Sequence, residues 1–309
     1  MKQMRFSLED LTRLQKLPLN AKIDLSKLRI VEWYEYWNGK VYVSFSGGKD
    51  STVLLKLVRK LYPDVPAVYV DTRLDYPEVR DHVKNTDNVI WLKPEMDFRT
   101  VIENYGFCYP SKDVAKCVDS YRRGHKWAIN GFDGKLVTGD LSPYRERFNR
   151  WKWLVDVDAK ISAQCCVVMK ENPIKKFERQ EGLKAFVGLL AAESYRRTYA
   201  WLKTGCNAFD SIRPSSKPLA FWTEQDILRY IADNDIDIPS VYGSVIGDKN
   251  GRLITTGESR TGCIFCPVGA HLRKVNKFHR LKESHPQLYK YCMNELGLDD
   301  FLTKVGVPH

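Results

Sequence analysis

The stretch from Lys40 to Val70 constrains the fold more than any other part of the chain. Lys40-Val41-Tyr42-Val43-Ser44-Phe45 is a short β-prone run that passes directly into Ser46-Gly47-Gly48-Lys49-Asp50-Ser51. Thr52 to Leu61 then carries a helical period, with Val53, Leu54, Leu57, Val58 and Leu61 three and four apart as its buried side. Ala67 to Val70 reads as a second strand, ending at Asp71-Thr72. Strand, glycine turn, helix and strand in this order open an α/β fold. The expectation is an open, mostly parallel sheet with helices on both faces and a ligand crevice beyond the carboxyl ends of its strands.

Elsewhere the signals are sparser. Residues 1–35 hold seven basic side chains and short apolar stretches, and read as a helical lead-in that packs on the main domain or contacts nucleic acid. Lys135-Leu136-Val137-Thr138 and Ala185-Phe186-Val187 are weaker strands, while Thr223-Glu224-Gln225-Asp226 is a capping box for a helix carrying Ile227, Leu228, Tyr230 and Ile231. The expected organisation is a lead-in over 1–35, a nucleotide-binding domain over 36–239 and a smaller Cys-x-x-Cys and basic helical segment over 240–309. No internal repeat is evident, which disfavours a solenoid.

Composition narrows the partners. With 49 Lys plus Arg against 38 Asp plus Glu, the chain of 309 residues carries a formal charge of +11, which suits a polyanion such as nucleic acid or a nucleotide. No segment approaches the roughly 20 apolar residues that cross a bilayer, so no membrane partner is expected. Glu9 and Asp10 interrupt the start before any long apolar core, against a secretory signal. Eight cysteines in so long a chain do not resemble a small disulfide scaffold, and their grouping points to metal or redox chemistry in the cytoplasm.

The glycine turn offers the first chemistry. Adjacent glycines let the backbone approach a ligand closely, and the helix N-terminus supplies unpaired N–H groups. With the Ser46 and Ser51 hydroxyls and the Lys49 ammonium, these form a cradle for phosphate or another oxyanion. The second chemistry is thiolate. Cys165 and Cys166 are adjacent, and Cys263 and Cys266 form Cys-x-x-Cys within Thr261-Gly262-Cys263-Ile264-Phe265-Cys266-Pro267. Four thiolates complete either a zinc site or an iron–sulfur cluster, and an adjacent pair favours a centre with several metal corners. Buried thiols without metal are the blander account. Cys108, Cys117 and Cys292 stand alone and are left out of the chemistry; Cys206 is a candidate persulfide carrier.

The turn is not the longer Gly-Lys-Ser/Thr loop of common nucleotide triphosphatases. Ser46 to Ser51 resembles the PP-loop of the adenine nucleotide alpha hydrolase-like superfamily, which splits ATP between its alpha and beta phosphates. Asp71-Thr72-Arg73-Leu74-Asp75-Tyr76-Pro77-Glu78 is similar to a segment beside the nucleotide in phosphoadenylylsulfate (PAPS) reductase relatives. The resemblance implies a ribose or magnesium role for Asp71, with Thr72 beside it, and leaves Asp75 as a helix cap. Val187-Gly188 through Glu193-Ser194-Tyr195-Arg196-Arg197 resembles the family's Gly-x-x-Ala-x-Glu-Ser-x-x-Arg motif. It implies roles for Gly188, Glu193 and Arg197 at the nucleotide. Cys165-Cys166 with Lys170, followed by the Cys-x-x-Cys, is similar to cluster-containing adenylylsulfate reductases. That likeness implies Cys165, Cys166, Cys263 and Cys266 as ligands of a [4Fe-4S] cluster, with Lys170 near it.

What the resemblance implies is a PP-loop ATP pyrophosphatase, using ATP and Mg2+, that adenylates a substrate for sulfur transfer. Ser44, Ser46, Gly47, Gly48, Lys49, Asp50 and Ser51 would hold the nucleotide, and the acceptor would be nucleic acid, as in DNA phosphorothioation or tRNA thiolation. A cysteine desulfurase or other sulfur donor protein and a second copy of the chain are the implied partners. The alternative is an adenylylsulfate or phosphoadenylylsulfate reductase releasing sulfite. A departure weighs against it: Glu295-Leu296-Gly297-Leu298 and Val307-Pro308-His309 lack the Glu-Cys-Gly-Leu-His-like tail that supplies the attacking cysteine. A non-catalytic, cluster-bearing nucleic-acid-binding subunit is the third reading. Two basic and aromatic stretches, Tyr121 to Trp127 and Tyr144 to Trp153, suit single strands or an ordinary surface equally. Arg273, Lys274, Lys277, Arg280 and Lys282 predict a further basic helix, and His271, His279 and His285 read as surface groups or caps.

Overall fold

The computed structural model describes residues 4–135 and 148–309. The strand expected at Leu136–Thr138 and the basic residues Arg145 and Arg147 lie outside the described residues. The chain divides into two compact units: Met1–Asp71, Asp75–Leu92 and Ile174–Thr261 form one, and Thr72–Leu74, Lys93–Pro173 and Gly262–His309 the other.

The first unit is built on a six-stranded sheet. Its strands are β1 (Val41–Ser44), β2 (Ala67–Val70), β3 (Val89–Leu92), β4 (Lys184–Val187), β5 (Asn207–Ala208) and β6 (Ser215–Ser216), in the order β3-β2-β1-β4-β6-β5. All neighbours run parallel except β5 against β6. The register pairs Ser44 with both Val68 and Val187. This is the open, mostly parallel sheet expected from the opening residues. The strand Val89-Ile90-Trp91-Leu92 is an addition to those expected, in keeping with its β-branched and aromatic residues.

Alternation along the strands sends side chains to two cores. Val41, Val43, Ala67, Tyr69 and Phe186 enter the larger one, and Tyr42, Val68 and Ala185 the smaller. On the larger side lie α1 (Leu8–Gln15), α2 (Leu19–Tyr36), α3 (Lys49–Leu61) and the helix Glu224–Asp233. Phe177, from the helix Asn172–Glu181, fills the smaller side. The lead-in is part of the core: Ile30 and Trp33 are fully buried, the Ser26 hydroxyl donates to the Pro218 carbonyl, and the Trp222 indole donates to Ser26. Lys22, also buried, pairs with Asp226 at 2.6 Å. From residue 4 onward the lead-in thus packs into the core of the first unit. The capping box forms as expected, with Thr223 Oγ1 accepting the Asp226 N–H.

The strand order decides where a ligand can sit. From β1 the chain builds β2 and β3 to one side, and then returns to place β4 on the other. The order reverses between β1 and β4, which opens a crevice beyond their carboxyl ends. The Ser46–Ser51 turn follows β1, and Gly188 follows β4.

The second unit is mainly helical, with Phe98–Tyr105, Lys112–Arg122, Lys126–Phe132, Lys277–Ser284 and Leu298–Lys304 as its longer helices. Cys165 and Cys166 lie in one short turn, and the backbone then widens into a π-type turn over Val167–Glu171, an irregularity that recurs at functional sites. No helix among the described residues is long and apolar enough to cross a membrane.

Candidate functional site

The turn after β1 is held by its own hydroxyls. Ser46 N–H donates to Ser51 Oγ at 3.2 Å, Gly48 N–H donates to Ser46 Oγ at 3.4 Å, and Ser51 Oγ donates to the Gly48 carbonyl at 2.9 Å. Gly47 has φ +71°, and a Cβ there would stand 2.7 Å from Val83 Cγ2, so the position excludes other residues on both counts. The helix begins at Lys49, three residues earlier than the apolar period alone indicates. Gly48 is its N-cap and offers no side-chain cap, so the first-turn N–H groups depend on other partners.

One partner comes from far along the chain. Lys49 N–H donates to the Tyr242 hydroxyl at 3.2 Å, and that hydroxyl lies 2.7 Å from Thr261 Oγ1. The Lys49 side chain is only 3% exposed; its ammonium donates to the Ser259 carbonyl at 3.0 Å and lies 3.4 Å from Glu224. Burial pushes the Asp50 carboxyl above the usual carboxylate range, against the opposing pull of Lys49 and Arg260. Asp50 Oδ1 is buried without a hydrogen bond, 3.8 Å from the Lys49 ammonium.

The segment after β4 closes against the same helix start. A Cβ on Gly188 would sit 3.1 Å from the Asp50 carbonyl oxygen and 3.2 Å from Ser51 Cα. Glycine permits this approach, which brings together two motifs 137 residues apart in the sequence. Further along, Glu193 is paired by both Arg197 and Arg260, and it accepts the Leu190 N–H at 3.3 Å. Ser194 caps the helix Tyr195–Thr204 through the Arg197 N–H. Asp71, at the end of β2, is buried and grasped by Arg80 Nη2 at 2.8 Å and Nε at 3.1 Å. Thr72 belongs to the second unit, where its hydroxyl accepts the Leu74 N–H.

In the second unit, Cys165, Cys166, Cys263 and Cys266 line one cavity of about 20 Å³, with Lys170 and Cys108 at its wall. The cavity is small and almost wholly apolar in its lining. The Cys266 N–H donates to the Cys263 carbonyl at 3.1 Å, and Lys277 donates to the same carbonyl at 2.9 Å. The thiols raise one another's pKa: Cys108 acts on Cys165, Cys165 acts on Cys166, and burial acts on Cys266. Burial opposes charge on Lys112, but the Cys166 sulfur beside it holds its pKa up. Among the described residues, no group of three or more His, Cys, Asp or Glu is arranged to hold a single metal ion.

The phosphoadenosine phosphosulfate reductase domain profile matches residues 40–105 and 132–268, about two thirds of the chain. The chain belongs to the phosphoadenosine phosphosulfate reductase domain family. An adenosine 5'-phosphosulfate reductase of Mycobacterium tuberculosis is 37% identical over 240 residues, covering 76% of this chain and 70% of that protein. An uncharacterized protein of Methanocaldococcus jannaschii is 25% identical over 305 residues, covering 96% of this chain but 58% of its own length. The chain thus spans little more than half of that archaeal relative. The crystal structure of phosphoadenylyl-sulfate reductase from Candida auris, a phosphate complex, aligns with a TM-score of 0.42 at 15% identity, covering 81% of this chain and 98% of that one.

Several side chains do other work than their place in this reductase-family sequence suggested. Asp75 is not the cap of α4 (Pro77–Lys84): Tyr76 holds the N-cap position, and Asp75 accepts the Tyr69 hydroxyl at 2.9 Å. Cys206, the candidate persulfide carrier, is buried, and burial pushes its thiol up to about 11. Arg122 is a brace, donating to the Leu154, Val155, Val157 and Ala159 carbonyls. His279 caps its helix with Asn276, whereas His271 packs between Tyr109 and Trp151 rather than on an open surface. Cys108, set aside from the sequence, joins the thiol cavity. It lies 57 residues before Cys165, and nothing local marks it.

Proposed function

We propose that this chain binds an adenylylated sulfate at the Ser46–Ser51 turn and releases sulfite from it, as an adenylylsulfate or phosphoadenylylsulfate reductase does. The observation that carries the reading is the oxyanion cradle at the reversal of strand order, inside the residues matched by the family profile. The Lys49 ammonium, the Ser46 and Ser51 hydroxyls and the first-turn N–H groups are the donors that hold the anionic end and stabilise the leaving phosphate. Arg197 and Arg260, with Glu193 as their counter-ion, are the next candidates for phosphate contact. In the reaction a thiolate attacks sulfur, the bond from sulfur to the nucleotide oxygen breaks, and the nucleotide leaves with the electron pair. A second thiolate then attacks the sulfur bearing the sulfonate, so two thiols become a disulfide and sulfite departs. A thioredoxin-class dithiol is the proposed reductant.

The four thiols from Cys165, Cys166, Cys263 and Cys266 are the proposed ligands of a [4Fe-4S] cluster. Ligand number, softness and a common cavity support this. When bound, such a cluster supplies a redox-active centre whose charge is felt by Lys112 and Lys170.

A second reading is a PP-loop pyrophosphatase that adenylates nucleic acid, DNA or tRNA, for sulfur supplied by a donor protein such as a cysteine desulfurase. The observation favouring it is that Cys108, Cys117, Cys206 and Cys292 are all buried, leaving none of them exposed to attack a sulfonucleotide. Here Asp50, with its unbonded Oδ1, is the residue fitted to Mg2+, which on binding neutralises phosphate oxygens. One experiment separates the readings. Anaerobically purified protein is supplied with adenylylsulfate, phosphoadenylylsulfate plus thioredoxin, or ATP plus DNA or tRNA. Sulfite from the sulfonucleotides supports the first; pyrophosphate released only with nucleic acid replaces it with the second.

A further inference from the structure

The helix Tyr195–Thr204 carries an outward stripe that neither reading uses. Tyr195, Tyr199 and Lys203 stand four residues apart and share one face. Tyr195 is 60% and Tyr199 37% exposed, although large aromatic side chains are costly to leave in water. Their rings are nearly parallel, 21° apart with centroids at 6.1 Å, and the Lys203 ammonium lies 4.4 Å from the Tyr199 centroid. Trp201 on the opposite face and Leu202 beside the stripe are buried, and Thr198 donates to the Ala191 carbonyl at 2.9 Å. The helix is thus pinned, and the stripe is held outward.

From this arrangement we infer that the stripe is a track for single-stranded nucleic acid. Bases of any sequence stack on tyrosine faces, while cations follow the phosphates. The rings stand too close, at 6.1 Å between centroids, to admit a base between them, so a base stacks on the outer face of Tyr195 while Lys203, which lies over Tyr199, is placed to meet a phosphate. From Tyr195 to Lys203 the helix advances about 12 Å, the length over which a single strand tracks the stripe. Charge selects this occupant. The helix carries Arg196 and Lys203 and no acidic residue, with Arg197 engaged by Glu193, within a chain of net charge +11. The inference reaches beyond the proposed reductase chemistry and does not depend on it, because binding is measured without turnover.

The test is fluorescence anisotropy of the full chain with labelled single-stranded DNA, single-stranded RNA and duplex DNA of equal length, across a salt series. The native chain is expected to bind the single strands in preference to duplex. Replacing both tyrosines (Tyr195→Ala with Tyr199→Ala) weakens single-strand binding about tenfold or more, whereas Phe at both positions retains it. Lys203→Ala weakens binding and reduces the salt slope by about one. Melting temperature and far-ultraviolet circular dichroism report that each variant is folded. The inference is overturned if the native chain binds no single strand at low salt, or if the double alanine variant binds as the native chain does. It also fails if sedimentation shows that the alanine variant loses self-association with its oligonucleotide affinity unchanged, since the stripe would then join copies of the chain.

Discussion

The Tyr242 hydroxyl accepts the Lys49 backbone N–H at 3.2 Å, across 193 residues of chain. It therefore satisfies, in the nucleotide-free protein, a donor that the proposed anion would otherwise meet. Tyr242→Phe leaves that buried N–H unpaired, at a cost of about 1–3 kcal/mol to the free state. The variant is expected to melt several degrees lower without ligand and to bind adenine nucleotide more tightly than the native chain. Calorimetric titration beside thermal melting checks both effects; weaker nucleotide binding would mean that the hydroxyl itself contacts the ligand.

Lys49 is buried beside Ser259 and Glu224, so its role separates cleanly into charge and volume. Lys49→Met keeps most of the volume and removes the charge. Sulfite or pyrophosphate formation is expected to fall about 10²–10³-fold. Stability is expected to fall by about 1–3 kcal/mol as well, because the Ser259 carbonyl loses its donor and the buried Asp50 carboxyl its neighbouring charge. A larger loss of stability would recast Lys49 as a structural residue.

Gly188→Ala places a methyl group against the Asp50 carbonyl and Ser51 Cα. Neither neighbour is a flexible side-chain end, so the turn must shift. The expected result is nucleotide affinity lowered by tenfold or more with only about 1–3 kcal/mol of lost stability, read by titration and urea unfolding.

Asp50 gives the pH dependence its sign. Its folded-state pKa lies above the ordinary value of 3.8, with burial as the main cause. The folded state therefore binds the proton more tightly than the unfolded state. The resulting stabilisation is complete below the unfolded value and disappears as pH rises through the folded one. Asp50→Asn is expected to be more stable than the native chain near neutrality, with the difference shrinking as pH falls through the folded pKa. Urea unfolding over an acid-to-neutral series measures this.

Thiol reactivity should follow burial. Burial pushes Cys117 and Cys206 up to about 11 and Cys292 up to about 12. At pH 8 all three are protonated and enclosed, and iodoacetamide should label them only after denaturation. Peptide mass spectrometry of native and unfolded protein decides it; prompt labelling of Cys206 in the native state would support it as a sulfur carrier.

Strands β1, β2 and β4, the helix side Val53, Leu54, Leu57 and Val58, and the Thr223–Asp226 capping box were all legible, because each is written in neighbouring residues. The Gly-Gly turn was legible for the same reason. Arg122 lies in a stretch that suits single strands or an ordinary surface equally, and its bracing role was not legible, since only the fold brings four carbonyls around its guanidinium. Asp75 was misread because a tyrosine hydroxyl from β2 reaches it before a helix N-terminus does.

By itself, then, the amino-acid order determined the parallel α/β opening, the phosphate-type turn and the two cysteine pairs, since strand propensity, helical period and motif spacing act over a few residues. Only the tertiary structure decided that Tyr242 caps Lys49, that Gly188 abuts Asp50, that Arg80 claims Asp71 and that Cys108 joins the other thiols. Those contacts depend on how distant segments are brought together by burying apolar side chains, a condition that no local pattern encodes.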